Sequence, residues 1–184
     1  MTTRRAVFLV IAVAGALLDL ASKEMAFRAL GVASAAQRPV PHVPIEVIPG
    51  WLAWRASANT GIVWGLFQNV PGLFTVLSIV AIPLIGGLFW RTPAPDRRFT
   101  AALGLVLAGA LGNLYDRLVY GHVRDFIDFY VINYPTFNVA DSLICVGVAL
   151  LAWHLLTEPK AAPPATPAPT SGGAPVAPPT PHPQ

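Results

Sequence analysis

Four stretches of this chain, at roughly residues 6–27, 69–90, 99–119 and 137–157, are apolar over about the 20 residues that a helix needs to cross a bilayer. Inside hydrocarbon no water is present to satisfy backbone N–H and C=O groups, so stretches of this kind become helices. Composition agrees, with 54% hydrophobic residues and a mean hydropathy of +0.58, too apolar for an ordinary soluble domain. The expected fold class is therefore an all-α membrane protein with four transmembrane helices. The connection between the first and second of them, residues 28–68, is long for so small a bundle. Pro39, Pro41, Pro44 and Pro49 rule out a continuous helix in its first half. From Ile45 to Phe67 it mixes β-branched and aromatic residues with Gly50, Gly61 and Gly65, which predicts short strands or an interfacial platform, and the expected fold includes a small β-like cradle there. Trp51, Trp54 and Trp64 suit the headgroup region, where amphipathic rings accumulate.

Arg4 and Arg5 precede the first apolar run in the manner of a signal peptide, and Ala33-Ser34-Ala35 resembles a cleavage site. The run passes through Asp19 and Lys23 before those alanines, however, so it is read as the first span. Cys145 is the only cysteine. It makes no intrachain disulfide and, with no base at helical spacing, is expected to be buried packing in the fourth span. Basic residues are scattered and form no stripe, so no nucleic-acid partner is expected despite the net charge of +3. With both termini on one side, Arg4, Arg5, Arg91, Arg97, Arg98 and Lys160 face Lys23, Arg28, Arg38, Arg55, Arg117 and Arg124. Lys23 and Arg117 fall within spans, and discounting them favours cytoplasmic termini. Gly104, Ala108 and Gly112 make one smooth face on the third span, suited to close packing against a neighbouring helix. The Pro- and Ala-rich segment 159–184 has too little apolar bulk to bury and is expected to be a disordered cytoplasmic tail.

The chemistry lies in the acids. Asp125 and Asp141 each stand where an apolar stretch meets a polar loop, in a chain with only 11% charged residues. A carboxylate at membrane depth is costly, and two near one boundary call for a function. Asn113, Asp116 and Arg117 are spaced i, i+3, i+4 near the end of the third span, and Asn138 and Asp141 share a face in the first turn of the fourth. Taken alone, Asn138 or Asp141 reads equally well as a helix cap. Two adjacent carboxylates cannot easily both be ionised, and a pair that holds one proton suits peptide hydrolysis with neither metal nor covalent intermediate. Asp116 and Arg117 read as an ion pair, as do Asp19 and Lys23 at i, i+4. Asp128 is expected to be solvated and His122 to be polar surface. The four histidines form no ligand cluster, so no metal or other cofactor is expected.

These residues also carry a resemblance. Asp19-Leu20-Ala21-Ser22-Lys23, Asn59-Thr60-Gly61-Ile62-Val63-Trp64-Gly65, Gly112-Asn113-Leu114-Tyr115-Asp116-Arg117, Gly121-His122-Val123-Arg124-Asp125-Phe126 and Phe137-Asn138-Val139-Ala140-Asp141, in this order over residues 6–157, closely resemble bacterial lipoprotein signal peptidase. The resemblance implies an intramembrane aspartic endopeptidase of the inner membrane, cleaving diacylglyceryl-modified prolipoproteins just before the lipidated cysteine. It makes Asp125 and Asp141 the catalytic dyad. Asn59, Gly61, Asn113, Arg117 and Asn138 would position substrate or dyad, with Asp19, Lys23 and Asp116 in support. Its implied partners are prolipoprotein substrates and membrane lipid. Nothing in that mechanism needs a second chain, so a monomer is expected. Leu20 departs from the Asp-Gln usual in the first motif, and the tail lies outside the pattern. Two other classes compete: an ion-coupled carrier, against which the acids cluster at one boundary without an internal repeat, and a scaffold binding acylated partners through the same groove.

Overall fold

Each apolar stretch forms one helix, and the segments between them form one small sheet. The computed structural model describes residues 3–32, 43–60, 72–93, 96–132 and 134–157. Gly61, Trp64, Gly65, Pro39, Pro41 and the 159–184 tail lie outside the described residues. The helices are α1 (Thr3–Ala29), α2 (Leu73–Arg91), α3 (Arg97–Tyr120) and α4 (Val139–Thr157), all four long and apolar enough to cross a membrane. A three-stranded antiparallel sheet in the order β1 (Ile45–Ile48), β2 (Leu52–Asn59) and β3 (Val123–Asp128) covers one end of the bundle.

The cradle therefore draws on both connections at that end. Residues 45–59 give the first two strands as their β-branched and aromatic content suggested. The third comes from the α3–α4 connection, which the sequence had left without structure. Gly121 makes this turn possible: it ends α3 at φ 75, its N–H bonded to the Arg117 carbonyl. That left-handed conformation costs a glycine little. The chain then enters β3 within two residues. Phe137, just ahead of α4, pairs in turn with Ile127, so β3 is held by β2 on one side and by the α4 approach on the other.

α3 is the centre of the bundle, in contact with each of the other three helices. Its small residues are the reason. A Cβ on Gly104 would meet Ile11 of α1 at 3.0 Å, and Ala108 lies against Gly15 of the same helix. Gly109 faces the backbone of Ala140 on α4. Without a hydrophobic drive between helices in lipid, such close backbone approach is what dispersion has to work with. Phe8, Ala12, Phe89, Phe99, Leu103 and Leu107 fill the centre of the bundle. A second cluster of Ala26, Phe27, Leu30, Ala56 and Phe126 seats the sheet on the end of α1. Cys145, expected to be packed inside, instead lies on the exposed side of α4, because the face that meets α3 is the one carrying Gly147.

Candidate active site

Asp125, on β3, is 1% exposed. Strand pairing places it: Ser57 of β2 stands opposite, and Asn59, two residues along β2, is on the same face. The Asn59 side-chain amide donates to Asp125 Oδ2 at 2.9 Å. Asn138 Nδ2 donates to the other oxygen, Oδ1, at 2.6 Å. Burial, reinforced by the charge of Asp141, pushes the Asp125 carboxyl up to about 7 against the opposing effect of those two amide donors.

Asp141 reaches the same place from the first turn of α4. Asn138 is the N-cap: its Oδ1 accepts the Asp141 N–H at 3.0 Å, and its own N–H is directed to Asp141 Oδ2 at 3.3 Å. This reciprocal pair is a capping box. The sequence left Asn138 and Asp141 open between a helix cap and a site; they form the cap, and the same two side chains also face Asp125 and Asn113. Asn113 Nδ2 donates to Asp141 Oδ1 at 2.8 Å, while Asn113 Oδ1 receives Asn138 Nδ2 at 3.2 Å. Asn138 consequently touches both aspartates and the asparagine of α3 that supports one of them.

Behind the asparagines lies a buried ionic layer. Lys23 Nζ donates to Asp19 Oδ2 at 2.7 Å and to Asn113 Oδ1 at 3.0 Å, and forms an ion pair with Asp116 Oδ2 at 3.3 Å. The other Asp19 oxygen accepts the Ala140 N–H at 2.8 Å, so α1 supplies a cap to α4 across 121 residues. A Cβ on Gly112 would lie 3.0 Å from Asp19 Cγ, which is why the smooth face of α3 must extend this far.

Asp116 does not pair with Arg117. Successive helix residues point about 100° apart, so the two side chains leave α3 in different directions. Asp116 turns to Lys23 and to Arg124, whose backbone N, Nε and Nη2 all donate to it at 2.9 to 3.2 Å. Arg117 donates to the Asn113 carbonyl at 3.4 Å, lies 5.9 Å from the centre of the Phe74 ring, and feels the charges of Asp141 and Asp125. Two further expectations are corrected. Asp128 is buried and bound to Arg55 at 2.5 Å, because the sheet register sets Ala53 opposite Asp128 and leaves Arg55 two residues away on the same face. His122 is buried too, under the turn into β3. It lines a polar cavity of about 30 Å³ shared with Asn59, Thr60, Gly72, Phe74, Thr75, Arg117 and Gly121. That is room for a water molecule. Among the described residues no group of three His, Cys, Asp or Glu side chains is placed to hold a metal ion.

Asn59, Asn113, Asp116, Arg117, Asn138, Asp19 and Lys23 thus gather with Asp125 and Asp141 at one end of the bundle. Arg124 was missed as part of it. Its one sequence signal is an arginine inside a six-residue strand otherwise suited to burial, and spacing does not reveal its partners.

Fold and site together define a multi-pass membrane protein with two aspartates joined through asparagines beneath a small sheet at one end of the bundle. The chain belongs to the signal peptidase II family, whose model, described as Signal peptidase (SPase) II, matches residues 11–157. Curated relatives include a lipoprotein signal peptidase of Anaeromyxobacter sp. (strain Fw109-5), 43% identical over 60% of this chain and 60% of that protein. Another, from Symbiobacterium thermophilum, is 39% identical over 66% of this chain and 81% of its own length. The match thus spans under two thirds of the first relative and four fifths of the second. Two solved bacterial membrane enzyme structures superpose with TM-scores of 0.68 and 0.69, at 30% and 28% identity. They cover 81% and 83% of this chain and 87% and 94% of theirs.

Proposed function

We propose that this chain removes signal peptides from diacylglyceryl-modified prolipoproteins as an intramembrane aspartic endopeptidase, with Asp125 and Asp141 as the dyad, and cleaves just before the lipidated cysteine. The observation that carries the reading is the pair itself. Asp125 is raised to about 7 by burial and by the charge of Asp141, so near neutral pH it is the member that holds the shared proton. Asp141, half-buried and held by Asn113 and by the cap of α4, is assigned the part of the base. A helix N-terminus is a favourable place for the negative charge of a base.

The chemistry follows from this division. Asp141 takes a proton from a water molecule as that water attacks the scissile carbonyl carbon, and Asp125 gives its proton to the carbonyl oxygen. The tetrahedral diol then collapses: Asp141 gives its proton to the leaving amine as the C–N bond breaks, a diol hydroxyl returns a proton to Asp125 as the carbonyl re-forms, and the pair is left with one proton as before. Asn59 and Asn138 occupy one lone pair on each Asp125 oxygen, which fixes the carboxyl plane without removing its capacity to hold the proton. Family membership supports the substrate class. In this reading the site lies at the periplasmic face of the inner membrane, with both termini in the cytoplasm, and Arg117 and the adjoining polar cavity border the peptide path.

The test is cleavage of a diacylglyceryl-modified prolipoprotein by purified protein in detergent, beside Asp125→Asn and Asp141→Asn. Loss of general acid or base catalysis is expected to lower kcat by about 100-fold or more in each variant. A folded Asp125→Asn or Asp141→Asn variant that cleaves nearly as fast as wild type would falsify the dyad. Wild type that leaves several such substrates intact would move the scaffold reading forward.

A further inference from the structure

Arg124 adjoins Asp125 and is 2% exposed, one of the largest fully buried side chains in the protein. Its guanidinium is held on every side. Nε and Nη2 donate to Asp116 Oδ1 at 3.2 and 2.9 Å, and Nη1 donates to Glu24 Oε2 at 3.1 Å. The group stacks over Tyr120 at 4.4 Å and lies 5.9 Å from the Phe27 ring. Its backbone N–H donates to Asp116 Oδ2 at 2.9 Å. One residue therefore ties the strand bearing Asp125 to α3 through Asp116 and to α1 through Glu24.

The division of the Asp116 oxygens matters most. The guanidinium occupies Oδ1, which leaves Oδ2 to the Arg124 backbone and to Lys23. Lys23 is thereby shared among Asp116, Asp19 and Asn113, and Asn113 is the residue that donates to Asp141. Remove the guanidinium and the nearest cation left for Asp116 is Lys23, whose move would loosen Asn113 and, through it, Asp141. The strand would lose its side-chain tether at the same time.

We propose that Arg124 is a positioning residue for the pair, setting Asp125 through the strand and Asp141 through the Asp116–Lys23–Asn113 chain. This rests on the peptidase reading above. A planar fork is required for it, because only a fork occupies one oxygen of Asp116 with two donors while a third reaches Glu24; a lysine ammonium supplies the charge without that geometry.

The experiment compares Arg124→Gln, Arg124→Lys and Glu24→Gln with wild type, measuring kcat and KM on the lipidated prolipoprotein per folded enzyme, and Tm in the same detergent. Arg124→Gln is expected to lower kcat roughly 10- to 100-fold with KM within about twofold, the effect of displaced rather than missing catalytic groups. Arg124→Lys is expected to recover most of the Tm while kcat stays at least about fivefold down, since it lacks the fork. Glu24→Gln should lower kcat less than either. Wild-type kcat in Arg124→Lys shows that charge alone suffices and overturns the role, as does a kcat loss that merely follows Tm or a change confined to KM. If Arg124→Gln fails to fold, the lysine and Glu24 variants decide by the same criteria. A wild type that cleaves no such substrate overturns the peptidase reading and this role with it, whereas an active wild type with unimpaired variants overturns the role alone.

Discussion

α2 and α3 are both long enough to cross a bilayer, yet they bury very different surfaces. α2 buries Phe89 alone, and among the described residues no atom of another element lies within 4 Å of a Cβ placed on its Gly86 or Gly87. α3 buries eleven residues, among them Thr100, Asn113 and Asp116, and its glycines face neighbouring backbones and side chains. A helix wrapped by lipid has to be apolar on most sides. A helix wrapped by other helices is relieved of that demand and can carry polar groups, provided its neighbours satisfy them. The helix with the most protein around it is the one that carries Asn113, Asp116 and Arg117 to the candidate site, where Asp125 of β3 and Asp141 of α4 meet them.

If this contrast is right, substitutions on the α3 side should be severe and matched ones on α2 mild. The largest effect on stability is expected from Lys23→Met. It leaves Asp19 and Asp116 buried with one fewer cation, and removing one partner of a buried ion pair costs about 3–5 kcal/mol. Thermal unfolding in detergent reads the loss, and cleavage should fall with it because Asn113 loses a donor. A Tm within a degree or two of wild type would show that the ionic layer is not needed to hold α1 on α3. Next comes Gly109→Val. The added carbon atoms would meet the Ala140 carbonyl and Ile144 Cγ1 at 2.6 Å, one residue before Asp141. Overpacking of this kind costs about 1–3 kcal/mol. Because α4 must move to relieve it, activity should fall further than stability predicts.

The contrast also explains what could be read from the sequence. The four spans were legible because hydropathy accumulates along a stretch independently of partners, and the observed helices fall within about four residues of the expected limits. Asn113 and Asp116 could be placed on one face by helical period alone. β3 was hidden because it is buried on both faces: Val123, Asp125 and Ile127 alternate with Arg124, Phe126 and Asp128, and neither set shows a solvent side. The partners of Asp116 were misread as the adjacent Arg117, since spacing within a helix says nothing of a side chain arriving from a strand eight residues on. The bond from Ala140 to Asp19 lay further out of reach, as 121 residues separate them.

Acid and base treatment sharpens the same contrast at the site end. In the unfolded chain Asp125 titrates near 3.8, and in the folded protein near about 7. Between these values the folded state binds the extra proton, so this group's contribution to stability is present at low pH and lost as pH rises through about 7. Asp125→Asn is therefore expected to reduce the loss of Tm between pH 5 and pH 8. An unchanged difference between the two pH values would assign that slope to other groups. Activity should share the alkaline limb, since a pair without its proton has no acid to offer. The rate is expected to fall above about pH 7, and a rate still rising at pH 9 would contradict the assignment of the proton to Asp125.

The smallest expected effect is the most direct test of the lipid-facing side. Gly86→Ala adds a methyl group where, among the described residues, no atom of another element lies within 4 Å. Replacing a mid-helix glycine with alanine is worth about 0.5–1 kcal/mol in favour of the helix. Tm should therefore stay level or rise slightly, with kcat and KM unchanged. The same substitution at Gly109 brings its methyl against the Ala140 carbonyl and should lower both Tm and kcat. If Gly86→Ala proves as damaging as Gly109→Ala, α2 packs against something other than lipid, and the difference between the two helices would not be one of burial.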